Sequence, residues 1–109
     1  MRLLSFVLCF MFLSVSVWAQ QEELDSLQQL LHKQADDTSK VNTLNELSYV
    51  YYQTAVYDSE LYYAQQALNL SQKLNWKRGM AVSLKNNDSA CEDMSHNRDA
   101  LYYYERALN

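Results

Sequence analysis

The chain has 109 residues, with nine Lys or Arg against thirteen Asp or Glu, two His and a formal net charge of −4. That length allows one small domain, and an acidic surface without a basic stripe excludes the phosphate-neutralising contacts on which nucleic-acid binding rests. One glycine and no proline argue against strands joined by tight turns, rule out a glycine-rich phosphate loop, and predict an all-α chain.

Residues 1–19 read as a secretory signal peptide. Arg2 gives a positive start, Leu3 to Val17 form an uncharged apolar run, and Val17-Trp18-Ala19 sets small residues three and one before a cut at Ala19–Gln20. The uncharged stretch Leu3 to Ala19 is short against the roughly 20 residues that span a bilayer. Membrane association is therefore expected only through this segment, if it stays uncleaved. Cys9 lies mid-run with no small residues before it and reads as apolar filler rather than a lipid attachment point. The expected product, Gln20 to Asn109, carries eight basic and thirteen acidic side chains, a net charge of −5. Its one cysteine, Cys91, can form no intrachain disulfide. The expected location is exported, periplasmic or otherwise extracytoplasmic.

Residues 20–35 predict a leader helix, because Leu24, Leu27, Leu30 and Leu31 fall on one helical face. Ala35-Asp36-Asp37-Thr38-Ser39 is polar and rich in N-cap residues, so a helix is expected from there to about Val56, with Val41, Leu44, Leu47, Ser48 and Tyr51 on one side. Tyr57-Asp58-Ser59 predicts the next turn, with Ser59 or Asp58 as cap. The following helix carries Leu61, Ala64, Ala67, Leu68, Ser71 and Leu74, and its small residues allow close approach to the helix before it. It is expected to end between Asn75 and Gly79, where Lys77 and Arg78 suit the negative end of the helix dipole and Gly79 can turn left-handed. Met80 to about Met94 predicts another helix, Ser95-His96-Asn97 a turn, and Arg98 to Asn109 a last helix.

The second half of this pattern repeats the first at an offset of forty residues. Leu61-Tyr62-Tyr63 recurs as Leu101-Tyr102-Tyr103, Ala67-Leu68-Asn69 as Ala107-Leu108-Asn109, and Leu44 as Leu84. Positions 41–69 and 81–109 share seven identities in twenty-nine without a gap. Such self-similarity points to stacked units that bury their apolar faces only against neighbours. On Leu44, Leu47, Ser48, Tyr51, Ala64, Ala67 and Leu68, the unit at residues 36–79 resembles a tetratricopeptide repeat. Residues 80–109 resemble a second, truncated one through Leu84, Ala100, Tyr104 and Ala107. The family's usual period is about 34 residues, so forty implies longer second helices. The stretch from Asp36 to Ser48, behind a signal peptide and a leucine-rich helix, is similar to exported tetratricopeptide regions of Bacteroidetes-type sensor kinases and regulators.

Where the first unit has Leu47, Ser48 and Tyr51, the second has Asn87, Asp88 and Cys91. Each leucine-sized burial is worth roughly 1.5–3 kcal/mol, and an unpaired buried polar group costs more. Asn87 to Ser95 is therefore expected to be frayed or shifted from standard packing. The uncapped second end leaves room for self-association.

Chemistry-bearing residues are sparse. His32 and His96 stand in no zinc spacing. Cys91, Asp93 and His96 form the only cluster of ligands or nucleophiles, and Cys91 and His96 point about 140° apart on a helix. No catalytic residue, metal site or cofactor is expected. The resemblance implies a concave groove lined by first helices, placing Asn42, Asn45, Tyr49, Tyr52, Lys85 and Ser89 there. Asparagine amides would pair with an extended peptide's backbone and tyrosine rings would cover its side chains. The leading expectation is a non-enzymatic protein-binding module with a protein or peptide partner. The alternatives are the detached sensory portion of a histidine kinase or transcriptional regulator and, last, a small exported metal- or thiol-using protein.

Overall fold

The computed structural model describes residues 2–108, with side chains described over residues 18–107. It is all-α: α1 (Arg2–Lys33), α2 (Thr38–Gln53), α3 (Tyr57–Lys73) and α4 (Lys77–Leu108). The apolar segment that reads as a signal peptide falls largely outside the described side chains. Among the described residues no helix is long and apolar enough to cross a membrane. Three-residue links return α3 along α2 and α4 along α3, while α2 also touches α1 and α4.

Asp37 caps α2, its carboxylate accepting the Lys40 backbone N–H at 3.1 Å, which satisfies one of the first-turn donors. The inner face of α2 buries Val41, Leu44, Leu47 and Val50. Facing elements contribute mostly small residues: Ala64, Ala67 and Ser71 from α3, and Ser83 and Ala90 from α4. Small contact residues bring helix axes close, and the buried hydroxyls stay satisfied. Ser71 Oγ donates to the Leu68 carbonyl at 2.9 Å, and Ser83 Oγ to the Gly79 carbonyl at 2.8 Å. Ser48 Oγ of α2 reaches across to the Glu60 carbonyl of α3 at 2.9 Å. Tyr51, expected inside, is half-buried and stacks on Tyr63 with ring centroids 5.6 Å apart and 3° between planes. Leu31 of α1 packs on the cluster of Val41, Leu44 and Ala67.

The two turns differ from the sequence expectation and share one mechanism. After α2, Val56 N–H donates to the Tyr51 carbonyl at 2.9 Å and Ala55 N–H to Tyr52 at 3.1 Å. After α3, Trp76 N–H donates to Ser71 at 2.9 Å and Asn75 N–H to Gln72 at 3.0 Å. This paired closure requires a left-handed residue between the helices, and Ala55 (φ 59°) and Asn75 (φ 51°) occupy it. The first turn therefore falls at Thr54–Val56 rather than at Tyr57–Ser59, and Asp58 lies inside the first turn of α3.

Gly79 does not end a helix; it is buried in the first turn of α4 with no positive φ. A Cβ there would collide with Trp76 Cε3 and stand 2.9 Å from Cζ3. Trp76 itself packs on the Val41, Leu44 and Ala67 cluster, so its ring cannot swing away freely.

The largest departure is α4. A turn was expected at Ser95-His96-Asn97, but one helix runs from Lys77 to Leu108. Asn87 to Ser95, expected to fray or shift, is regular helix within it. Both outcomes have a physical reason. α4 meets its neighbours through Gly79, Ser83, Asn86 and Ala90, which leaves Asp88 and Cys91 exposed, so those two polar substitutions bury nothing; only Asn87 is half-buried, its Oδ1 without a partner among the described residues. Ser, His and Asn each disfavour helix by only about 0.7 kcal/mol or less, too little to end one without a closing contact. Every residue from Ser95 to Ala107 is exposed. Tyr104, expected in the core, is 70% exposed.

These turns predict two opposite effects in urea denaturation. Gly79→Ala should lower stability by about 1–3 kcal/mol through overpacking, despite alanine's better helix propensity. Ala55→Gly should raise it by about 1 kcal/mol by relieving the left-handed alanine. A stabilising Gly79→Ala would refute the role given to Trp76.

Candidate functional site

A groove runs between α2 and α4, and residue spacing builds its walls. Along α2, Asn42, Asn45, Glu46, Tyr49 and Tyr52 recur at helical intervals on one side, and Val82, Lys85, Asn86 and Ser89 do the same along α4. Two adjoining hollows result. One is lined by Asn42, Asn45, Glu46, Tyr49, Val82 and Asn86. The other is lined by Tyr49, Tyr52, Glu60, Lys85, Asn86 and Ser89.

All six residues singled out in the sequence lie along these hollows, but not with equal freedom. Asn42, Tyr49, Tyr52 and Lys85 are exposed and Ser89 is half-buried. Tyr49 and Tyr52 stack on each other with centroids 6.1 Å apart at 25°, and they are 55% and 46% exposed. The pair thus presents a stacked aromatic ledge with two hydroxyl tips.

Asn45 departs from its expected role. It is 8% exposed; its Oδ1 accepts from Asn86 Nδ2 at 3.2 Å and lies 3.2 Å from Ser83 Oγ, whose one proton goes to the shorter Gly79 contact. This side chain is committed to joining α2 to α4 and forms the groove floor rather than a free amide. Four lining residues escaped the sequence reading: Glu46, Glu60, Val82 and Asn86. Asn86 and Val82 carry no signal until α4 is set beside α2. Glu60 had one, standing where the repeat pattern places alanine.

Glu60 is the electrostatic feature of the site. It lies in the first turn of α3 and is 2% exposed. Its Oε2 has no hydrogen-bond partner among the described residues, and neither does Asp93 Oδ2 of α4. Burial pushes the Glu60 carboxyl from its ordinary 4.5 up to about 7; the nearby Asp93 charge adds to the rise and a Ser89 hydrogen bond opposes it. Near neutrality this carboxyl is only partly ionised, so the groove floor carries less negative charge than its composition suggests.

Among the described residues no group of three or more His, Cys, Asp or Glu side chains could hold a metal. Cys91 is a free, exposed thiol on α4, away from both hollows.

The raised Glu60 pKa predicts a specific pH dependence. The unfolded chain ionises this carboxyl near 4.5 and the folded chain near 7. The stability it contributes is complete below the lower value and is lost as pH rises through the upper one, by roughly 3 kcal/mol in all. Thermal unfolding between pH 4 and 8 should therefore show that loss in the unmodified chain and a flatter profile in Glu60→Gln. Parallel profiles would contradict the assignment.

Comparison with known proteins found no match: no family model, no curated protein and no solved structure shows significant similarity to the chain.

Proposed function

We propose that the chain is a non-enzymatic interaction module whose α2–α4 groove binds an extended segment of another protein. The observation that carries the reading is the groove itself, an open channel with exposed tyrosines on one wall, polar side chains on the other and a floor held together by Asn45, Ser83 and Asn86. Such a surface suits a peptide better than a small molecule, because it encloses nothing. Exposed aromatic rings give contact area at low entropic cost, and nearby amides and hydroxyls can meet a peptide backbone.

Two further features support this reading. The internal repeat, though its forty-residue period exceeds the usual ~34, and the α2–α3–α4 packing order support a tetratricopeptide-type reading, with α2 and α3 as one hairpin and the start of α4 as the next first helix. The N-terminal charge and cut-site pattern supports export, which would place the partner outside the cytoplasm.

The test is partner capture. A photo-crosslinking residue at Tyr49 or Tyr52 should recover a defined protein partner from the native host's extracytoplasmic fraction. Tyr49→Ala and Tyr52→Ala should each weaken that complex about tenfold or more, the cost typical of a central aromatic anchor. If both substitutions leave affinity unchanged, the groove is not the binding surface.

A further inference from the structure

We infer that the C-terminal arm of α4, residues 98–108, docks on the outer face of α4 in a second copy of this chain, and that this contact propagates head to tail. The inference goes beyond the groove and does not depend on it. It starts from the internal repeat, because the arm copies a helix whose docking partner is visible.

In the first unit, α3 packs on α2 through Tyr63 against Tyr51 and through Ala67 in the cluster with Leu44. Forty residues on, the same pairs become Tyr103 with Cys91 and Ala107 with Leu84. The arm therefore carries a copy of the packing stripe, and the first half of α4 carries a more polar version of the surface that receives it, with Leu84 kept but Asn87 and Asp88 in place of Leu47 and Ser48. Neither is covered among the described residues. Leu84 is 48% exposed, Tyr103 68% and Tyr104 70%, and Cys91 and Ala107 are also exposed.

The arm cannot reach the receiving face of its own α4, because helix continues through Ser95-His96-Asn97 where the first unit turns at Thr54–Val56. A repeat hairpin left open in this way offers its second helix to another molecule, the usual route to exchanged assemblies. The occupant is thus a second copy, whose α4 presents Leu84 and Cys91 at the positions that receive the second helix in the first unit.

Helix geometry then decides the symmetry. At about 100° per residue, Tyr103 lies some 120° round α4 from Cys91, and Ala107 some 140° from Leu84. The donating stripe and the receiving face point to different sides. One partner cannot engage both, so a closed two-fold exchange is excluded and each copy must donate to one neighbour and receive from another. Two tyrosines bring ~150–250 Å² each, and with the surface they cover one contact comes to roughly 600–1,000 Å², at or below the lower limit of specific interfaces. The association is accordingly weak and concentration-dependent.

Sedimentation velocity of the protein as recovered from cells tests this over a wide concentration range. The unmodified chain should show an average mass that climbs past the dimer without a plateau. Tyr103→Glu disables only the arm and Leu84→Glu only the receiving face. Both sites are exposed, so circular dichroism should report unchanged helix. Each variant alone should lose the growth, yet an equimolar mixture should form a one-to-one complex and stop there. A second route is Ser95→Gly with Asn97→Pro, which places glycine and proline where the first turn has Ala55 and the first residue of α3. This should close the hairpin and abolish growth. A mass independent of concentration, a plateau at the dimer, growth that survives Tyr103→Glu, or a mixture that fails to associate would overturn the inference.

Discussion

The close approach of α3 to α2 on one side and α4 on the other is the constraint on which the rest of the structure depends. It is set by residues too small to hold helices apart: Ala64, Ala67 and Ser71 on α3, and Ser83 and Ala90 on α4, all fully buried. Against them α2 supplies the volume, with Val41, Leu44, Leu47 and Val50. Close spacing converts a few side chains into a dense interior. It also places α4 near enough to α2 for Asn45, Ser83 and Asn86 to join hands beneath the groove. Without that approach there is no shared floor, and the walls carrying Tyr49 and Tyr52 would not face Lys85 and Ser89.

The same spacing explains how the chain tolerates polar groups inside. Serine fills the role of alanine where its hydroxyl can return to a carbonyl one turn back, as Ser71 and Ser83 do, or bridge helices, as Ser48 does to Glu60. Glu60 is the most buried of the exceptions, which also include Asn87 and Asp93. Its carboxyl is buried at the α3–α4 contact beside Asp93, with an oxygen unpartnered. A buried charge is costly, and the side chain answers by holding its proton toward neutrality. The interior is thus most comfortable in mildly acid conditions.

The sequence made the all-α class legible because it lacks the residues other classes need, and because apolar positions recur at helical spacing with little ambiguity. The groove residues had a different source. Asn42, Tyr49 and Tyr52 were placed there by what the repeat resemblance implies for a first helix, and not by helical spacing. The turns were not legible. Sequence rules look for glycine at a left-handed position, and here alanine and asparagine fill it while Gly79 makes room for Trp76. Nor could local pattern show that Asn45 is spent on α4, because its partners lie 38 and 41 residues away. The missing turn at Ser95–Asn97 has a tertiary cause. A helix hairpin is held shut by what its second helix packs on, and weak turn propensities do not close it alone.

If small residues do fix the spacing of α2 and α3, enlarging one must be costly even though the new side chain is apolar. Ala67 is fully buried in the cluster with Val41 and Leu44, and Ala67→Leu in urea denaturation is the most direct measurement. The account predicts a loss of about 1–3 kcal/mol with far-UV helix content retained. Unchanged or increased stability would mean that the two helices do not pack at close range, and the groove built on that packing would lose its foundation.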